Sequence, residues 1–307
     1  MNTTRRKFLK LTSATACAFA MPARATTAEG FKGTYCLFSK HLPHLNWQQL
    51  GQTVKQLGFG GVDLTVRAQG HVLPERAAED LPKAVAAIRN AGLSVPMITT
   101  NLLSATDPTA KPILATAGKL KIPFLKPGYY KYALADVRGE LAKAMNEFAS
   151  LAELCQRNGV QVGYHNHEGY LGAPIWDVAT TIDKLDPKWV GYYFDIRHAV
   201  AEGGGGAWKM ALNLAAPRIK MIAVKDSYPE KTAKGWRQKN CPLGEGAVDW
   251  KAYFKALQQA NFHGPISLHI EYDLAGKTPT EIADNTLVAI QRDFAFLQAR
   301  VSEAYGV

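Results

Sequence analysis

The sequence predicts an α/β fold, a single closed (β/α)8 barrel, on three observations. A short apolar run, a polar turn and a longer stretch with helical spacing recur eight times along the chain. Helical stretches close on a glycine just before the next apolar run, as at Gly58, Gly92 and Gly159. The turn after the first run reads Phe38-Ser39-Lys40-His41-Leu42-Pro43 and lacks the GxGxxG loop that an open nucleotide-binding sheet would carry there.

The apolar runs lie near residues 33–39, 60–66, 93–100, 121–126, 160–166, 190–196, 219–225 and 265–271. Several are nearly continuous and rich in β-branched or aromatic residues, as strands covered on both faces should be. Between them, Leu50, Val54 and Leu57 form one helical stripe, and Leu141, Met145, Phe148, Leu151 and Leu154 form another. Gly203–Gly206 follows the sixth run without a Walker lysine, so a flexible loop at the rim of the active site is expected there.

The 307 residues are 47% hydrophobic and 20% charged, an ordinary globular composition with length for a large core. Residues 1–25 read as a separate segment. Arg5-Arg6-Lys7-Phe8-Leu9-Lys10 is basic, Leu11 to Met21 is apolar and small, and Ala23-Arg24-Ala25 offers a cleavage site. That order is expected of a twin-arginine export signal, leaving residues 26–307 as a periplasmic barrel domain. Cys17, after Ala14-Thr15-Ala16, leaves a lipid anchor as the minor alternative. The segment holds five basic residues and no acids, so its removal lowers the formal charge from +10 to +5. A modest excess of this kind suits a polar or anionic small ligand, and no basic stripe interleaved with aromatics points to nucleic acid. Beyond residue 25 no stretch is long and apolar enough to span a bilayer. Cys36, Cys155 and Cys241 lack CxxC spacing and are expected as buried thiols.

Active sites of such barrels form at the carboxyl ends of the strands. The second run ends in Asp63 and Arg67, the third in Thr99-Thr100-Asn101, and the fourth in Lys126. The fifth ends in Tyr164-His165-Asn166-His167-Glu168 and the sixth in Asp195-Ile196-Arg197-His198. The seventh ends in Lys225-Asp226 and the eighth in His269-Ile270-Glu271-Tyr272-Asp273. A purely structural barrel has no reason to gather His, Asp, Lys and Glu at successive strand ends. A lone strand-end aspartate such as Asp195 more often caps the next helix than binds metal. Of His165 and His167, one is expected at the barrel centre and the other as a supporting group. Lys225 is expected to point into the cavity near Glu271 or Asp195, and Asp226 to turn away and anchor the following loop.

Gly163-Tyr164-His165-Asn166-His167, Phe194-Asp195-Ile196-Arg197-His198, Val224-Lys225-Asp226 and Ile270-Glu271 resemble the xylose-isomerase-like barrel superfamily of sugar isomerases, epimerases and inosose dehydratase-like proteins. Pro242-Leu243-Gly244-Glu245-Gly246 and Val248-Asp249-Trp250 match a loop common before its seventh helix. The resemblance implies a divalent cofactor (Mn2+, Zn2+, Co2+, Fe2+ or Mg2+) held by His165, Asp195 and Glu271. The family's usual histidine on the seventh strand is replaced by Ala223, so a metal-free site with Lys225 supplying the positive charge is the alternative. The resemblance also implies His198 at the sugar; the catalytic candidates are Glu271 or His165 as general base and Lys225, or the ion, polarising the carbonyl. Lys126, His167, Arg197 and Trp236 are further candidate sugar contacts.

The leading expectation is proton abstraction beside a carbonyl of a sugar or sugar derivative, giving isomerisation, epimerisation or elimination. A lyase or hydrolase acting on 3-keto-glycosides is the runner-up. A non-catalytic carbohydrate-binding barrel, with Trp176, Trp208, Trp236, Tyr129 and Tyr130 stacking on sugars, is the alternative from another class. The expected partner is a small carbohydrate, with a homo-oligomer left open. An endonuclease would need more metal ligands and a basic DNA face than this sequence carries.

Overall fold

A computed structural model describes residues 30–306, so the expected export segment lies outside the described residues. The strands, in chain order, are β1 (Tyr35–Phe38), β2 (Gly61–Val66), β3 (Ser94–Thr100), β4 (Phe124–Lys126), β5 (Gln161–His165), β6 (Val190–Asp195), β7 (Ile219–Val224), β8 (Asp226–Thr232), β9 (Gly235–Cys241) and β10 (Ile266–Leu268). Eight of them close a parallel barrel in the order β1-β10-β7-β6-β5-β4-β3-β2. The expected fold class is therefore the one observed. The helices are α1 (Trp47–Gln56), α2 (Ala77–Asn90), α3 (Ala110–Lys119), α4 (Val137–Arg157), α5 (Trp176–Ile182), α6 (Ile196–Ala215), α7 (Trp250–Gln259) and α8 (Pro279–Tyr305).

Local chemistry sets the helix ends. Asn46 and Gln49 form a capping box at α1, and Thr278 and Glu281 form another at α8 behind Pro279, satisfying amides that have no partner inside the helix. Gly58 and Gly159 take φ of 89° and 73°, the left-handed conformation that lets the chain leave α1 and α4 and enter the next strand. The stripes sink as their spacing requires: Leu50 and Val54 of α1, and Met145, Phe148, Leu151 and Leu154 of α4, are buried against the strands. Burying each of these large side chains contributes about 1.5–3 kcal/mol. A second, smaller cluster of Met97, Tyr193, Met221 and Ala223 fills the barrel interior. Gly163 belongs to that layer, because a Cβ there would strike the Met221 methyl.

Three features depart from expectation. The run near 265–271 supplies only three ladder residues, and the chain from His269 onward leaves the sheet. Gly203–Gly206 lies within the span of α6 and breaks it at Gly204, with φ 58° and ψ −160°, instead of forming a rim loop. The polar β8 and β9 pair antiparallel as a hairpin outside the barrel. No alternation of apolar residues announces that hairpin, because its side chains are mostly polar, with Glu230 pairing across it to Arg237 and Lys239.

Asp226 opens the hairpin and turns away from the barrel mouth, as expected. Its Oδ2 accepts from the amides of Gly244 and Gly246 at 3.0 and 3.2 Å and from the Trp250 indole at 2.8 Å. Its Oδ1 accepts from the amides of Ser227 and Val248 at 2.9 and 3.3 Å. Cys36, Cys155 and Cys241 are free and buried. Among the described residues no helix is long and apolar enough to cross a membrane.

Candidate active site

The carboxyl ends of β5, β6, β7 and β10 bring five titratable groups together. β6 ends at Asp195, which is wholly buried and caps α6 by accepting the His198 amide on Oδ1 at 3.2 Å. Its Oδ2 lies 3.2 Å from His165 Nε2, 3.3 Å from Lys225 Nζ and 3.6 Å from His198 Nε2. Lys225, one residue beyond β7, donates to Glu271 Oε2 at 2.9 Å, and Lys40, just past β1, donates to Glu271 Oε1 at 2.9 Å. One ammonium thus bridges two carboxylates, and one of those carboxylates is clamped between two ammoniums.

The electrostatics follow from burial and these pairs. Burial disfavours the Lys225 ammonium, but Asp195 and Glu271 outweigh it and raise its pKa above the ordinary lysine value. Burial alone would raise Glu271, yet Lys225 and Lys40 hold it well below the usual carboxylate range. Asp195 is raised by burial, with Lys225 pulling the other way. His165 and His198 are held well below the ordinary histidine value by burial and then by nearby lysines, so both imidazoles are neutral. His165 Nδ1 lies 3.1 Å from the Tyr129 hydroxyl, which fixes the ring.

Beside these groups lies a cavity of about 120 Å³, lined by Lys40, Arg67, Lys126, Tyr129, Lys225 and Glu271 among others. A larger groove of about 620 Å³ runs between α6 and α7 on the outer surface, past Trp208, Leu212 and Ala256, and gathers no comparable set of titratable groups. The strand-end titratable groups gather at the smaller cavity.

His165 and His167 both line that cavity, with ring centroids 5.6 Å apart, so the expectation of a single inward imidazole is corrected. His165 ends β5 and His167 follows two residues later, the spacing at which extended backbone returns a side chain to the same face. His167 also packs at 3.8 Å on the His198 ring. Lys126 reaches the cavity. Arg197 does not line it, pairing instead with Glu168 and donating to Asn240 Oδ1 at 3.0 Å. Trp236 is 71% exposed on the hairpin, away from the cavity, and Trp208 is buried in the core. Tyr130 is tied by its hydroxyl to the Leu103 carbonyl, leaving Tyr129 as the aromatic of that pair in the cavity wall. The residue that strand-end reasoning did not select is Lys40, although it stands directly past the first strand.

The side chains discriminate between two metal sets. The set His165, Asp195 and Glu271 does not fit, because the Lys225 ammonium stands between the two carboxylates. Ligand atoms of His165, Asp195 and His198 instead lie within 4.8 Å of one another. His198 Nε2 is buried and, among the described residues, has no hydrogen-bond partner. Two neutral imidazoles and one carboxylate are a donor set that could hold a divalent transition ion.

A model of the xylose isomerase-like TIM barrel family matches residues 52–297. The chain is 27% identical over 165 residues to the inosose dehydratase of Clostridium perfringens, covering 50% of this chain and 54% of that one. It is 32% identical over 158 residues to the inosose dehydratase of Clostridium beijerinckii, covering 47% and 50%. The chain thus spans about half the length of the curated relatives it matches. Among solved structures, the D-psicose 3-epimerase of Clostridium cellulolyticum with D-tagatose superposes with a TM-score of 0.65 at 13% identity, over 87% of this chain and 99% of that one. That likeness is one of fold. With four-fifths of its length under the family model, and with the barrel and its strand-end cluster in place, the chain belongs to the xylose isomerase-like TIM barrel family.

Proposed function

We propose that this protein is an exported sugar isomerase- or epimerase-like enzyme that removes a proton from the carbon beside a carbonyl of a sugar or sugar derivative. The observation that carries the reading is Lys225, an ammonium 2.9 Å from Glu271 and 3.3 Å from Asp195 at the mouth of the barrel. A proton acceptor and a cation for the developing oxyanion are then side by side, as enediolate chemistry requires. While Lys225 donates to Glu271, the carboxylate is a weak base. When Lys225 turns to a substrate oxygen, the Glu271 carboxylate loses its strongest counter-charge and its pKa climbs towards the ordinary value. Carbonyl polarisation and base strength rise together. Glu271, once it carries the abstracted proton, returns it, while neutral His165, 3.1 Å from the Tyr129 hydroxyl and 3.2 Å from Asp195, is a fixed part of the wall. A divalent ion on His165, Asp195 and His198, when bound, would supply Lewis-acid polarisation at the same mouth.

Where the proton returns decides among isomerisation, epimerisation and elimination. An elimination from a 3-keto-glycoside begins with the same abstraction and is the second reading. The test is solvent exchange. Incubated in D2O with candidate ketoses, inososes and 3-keto-glycosides, the protein should place deuterium at the carbon beside the carbonyl, and Glu271→Gln should abolish the exchange. Exchange that persists in Glu271→Gln, or exchange absent from all three classes, would overturn the reading. Export is tested separately by fractionation: the mature chain should be periplasmic and should begin after residue 25, and Arg5→Lys with Arg6→Lys should retain it in the cytoplasm.

A further inference from the structure

We infer that the β2–β4 wall of the cavity is an anion subsite, in which Lys126 and Arg67 receive a carboxylate or phosphate group of the sugar. This rests on the proposed reading that the cavity is the substrate site.

Lys126 ends β4 with its side chain almost wholly buried, 1% of the residue being exposed. Among the described residues its Nζ has no hydrogen-bond partner; it stands 3.4 Å from the centre of the Tyr129 ring, facing the cavity. Arg67, just past β2, lines the same cavity with its guanidinium 5.4 Å from the centre of the Phe38 ring. Among the described residues neither cation has a carboxylate in ion-pair range, whereas the cavity's other cations, Lys40 and Lys225, are both bonded to Glu271. Buried Asp63 accepts the Thr99 and Ser267 hydroxyls at 2.7 Å each and acts on Lys126 through its charge, without an ion pair.

A buried ammonium without a partner is costly. Burial, and then the like charge of Arg67, hold the Lys126 pKa well below that of an ordinary lysine. An anion placed between the two side chains reverses both effects. Sugar hydroxyls could accept from Lys126 but would leave two positive charges uncompensated. A carboxylate or phosphate offers the guanidinium two parallel acceptors and the ammonium a third contact. The wall therefore favours an acidic sugar, such as a uronic or aldonic acid, or a sugar phosphate over a neutral sugar.

The test is calorimetric titration of the full chain with D-glucuronate, inorganic phosphate and D-glucose. D-Glucuronate or phosphate should bind roughly 10- to 100-fold more tightly than D-glucose, the worth of one charge-assisted hydrogen bond. Comparing the two anions tells which source the subsite takes. Lys126→Met should abolish that preference, and Arg67→Met, a change at a partly exposed residue, should weaken it without disturbing the fold. The inference falls if D-glucose binds as tightly as the anions, if neither anion binds, or if both variants bind them like the wild type. It also falls if borohydride reduction fixes a carbonyl compound to Lys126, which would make that amine a nucleophile. Anion binding without deuterium exchange would leave this subsite standing and remove the proposed activity. Exchange into a neutral sugar with no anion preference would do the reverse.

Discussion

Replacing Lys225 with Met keeps the length of the side chain and removes its charge. Asp195, with none of its surface exposed, then keeps only the His198 amide at 3.2 Å and the neutral imidazoles, and Glu271 keeps Lys40 at 2.9 Å. Removing one member of a buried ion pair costs about 3–5 kcal/mol. Because both carboxylates retain a donor, about 3 kcal/mol is expected for Lys225→Met. The pH dependence identifies the cause. The Glu271 pKa is lowered on folding, so its contribution is full above the unfolded carboxylate value and is lost as pH falls through the folded one. Asp195 moves the opposite way, and the variant raises it further, so acid relieves the variant more than the wild type. The stability gap measured by urea unfolding should therefore be widest near neutrality and should shrink steadily towards about pH 4. Turnover, on any substrate the wild type converts, should fall on the order of 100-fold. A gap that is absent, or that stays constant from neutrality into acid, would refute the bridging role of Lys225.

Three further outcomes follow from the same geometry. If the His165, Asp195 and His198 set binds Zn2+ or Mn2+, His198→Ala should weaken binding by roughly tenfold or more, at least the cost of losing an outer-shell partner, while Glu271→Gln should change it little. Equilibrium dialysis decides this, and the opposite ranking would restore Glu271 as a ligand. Asp226→Ala strips five donors of their acceptor and should cost at least about 3 kcal/mol, with loosening of residues 242–250 seen as faster amide exchange. Asp63 is pushed up to about 6 by burial, so the folded chain holds its proton where the unfolded chain has lost it, and stability falls as pH rises from about 4 through 6. Asp63→Asn should remove that slope from the unfolding free energy, and an unchanged slope would show Asp63 to be ionised in the fold.

The barrel was legible because its signal is repeated. Eight apolar runs and their glycine stops leave little freedom, and the strand-end rule places His165, Asp195, Lys225 and Glu271 at one mouth. What the rule cannot give is how side chains are shared once they meet. Family likeness gives His165, Asp195 and Glu271 to a metal, whereas the side chains place Lys225 between the carboxylates and His198 beside His165. That rearrangement depends on the reach of a lysine and on the helix turn that returns His198 to its own cap, Asp195. Lys40 escapes notice because a lysine in a polar turn is ordinarily solvated; only the curvature of the closed sheet brings it to Glu271, 231 residues away. The hairpin escapes because its residues are polar and its register is set by main-chain pairing.

That hairpin gives the mouth a brace that the barrel itself does not provide. Asn240, near its end, accepts from Arg197 after β6 and donates through Nδ2 to the Glu271 carbonyl after β10 at 2.9 Å. A segment outside the closed sheet thus ties together two walls that the sheet joins only at depth. At its far end Ala233, Lys234 and Gly235 are exposed. Mechanical slack introduced there, by a nick or an inserted peptide, would travel along the ladder to Asn240 before reaching any reacting group. An insertion at the hairpin tip is therefore expected to disturb the alignment of Glu271 more than the barrel's resistance to unfolding.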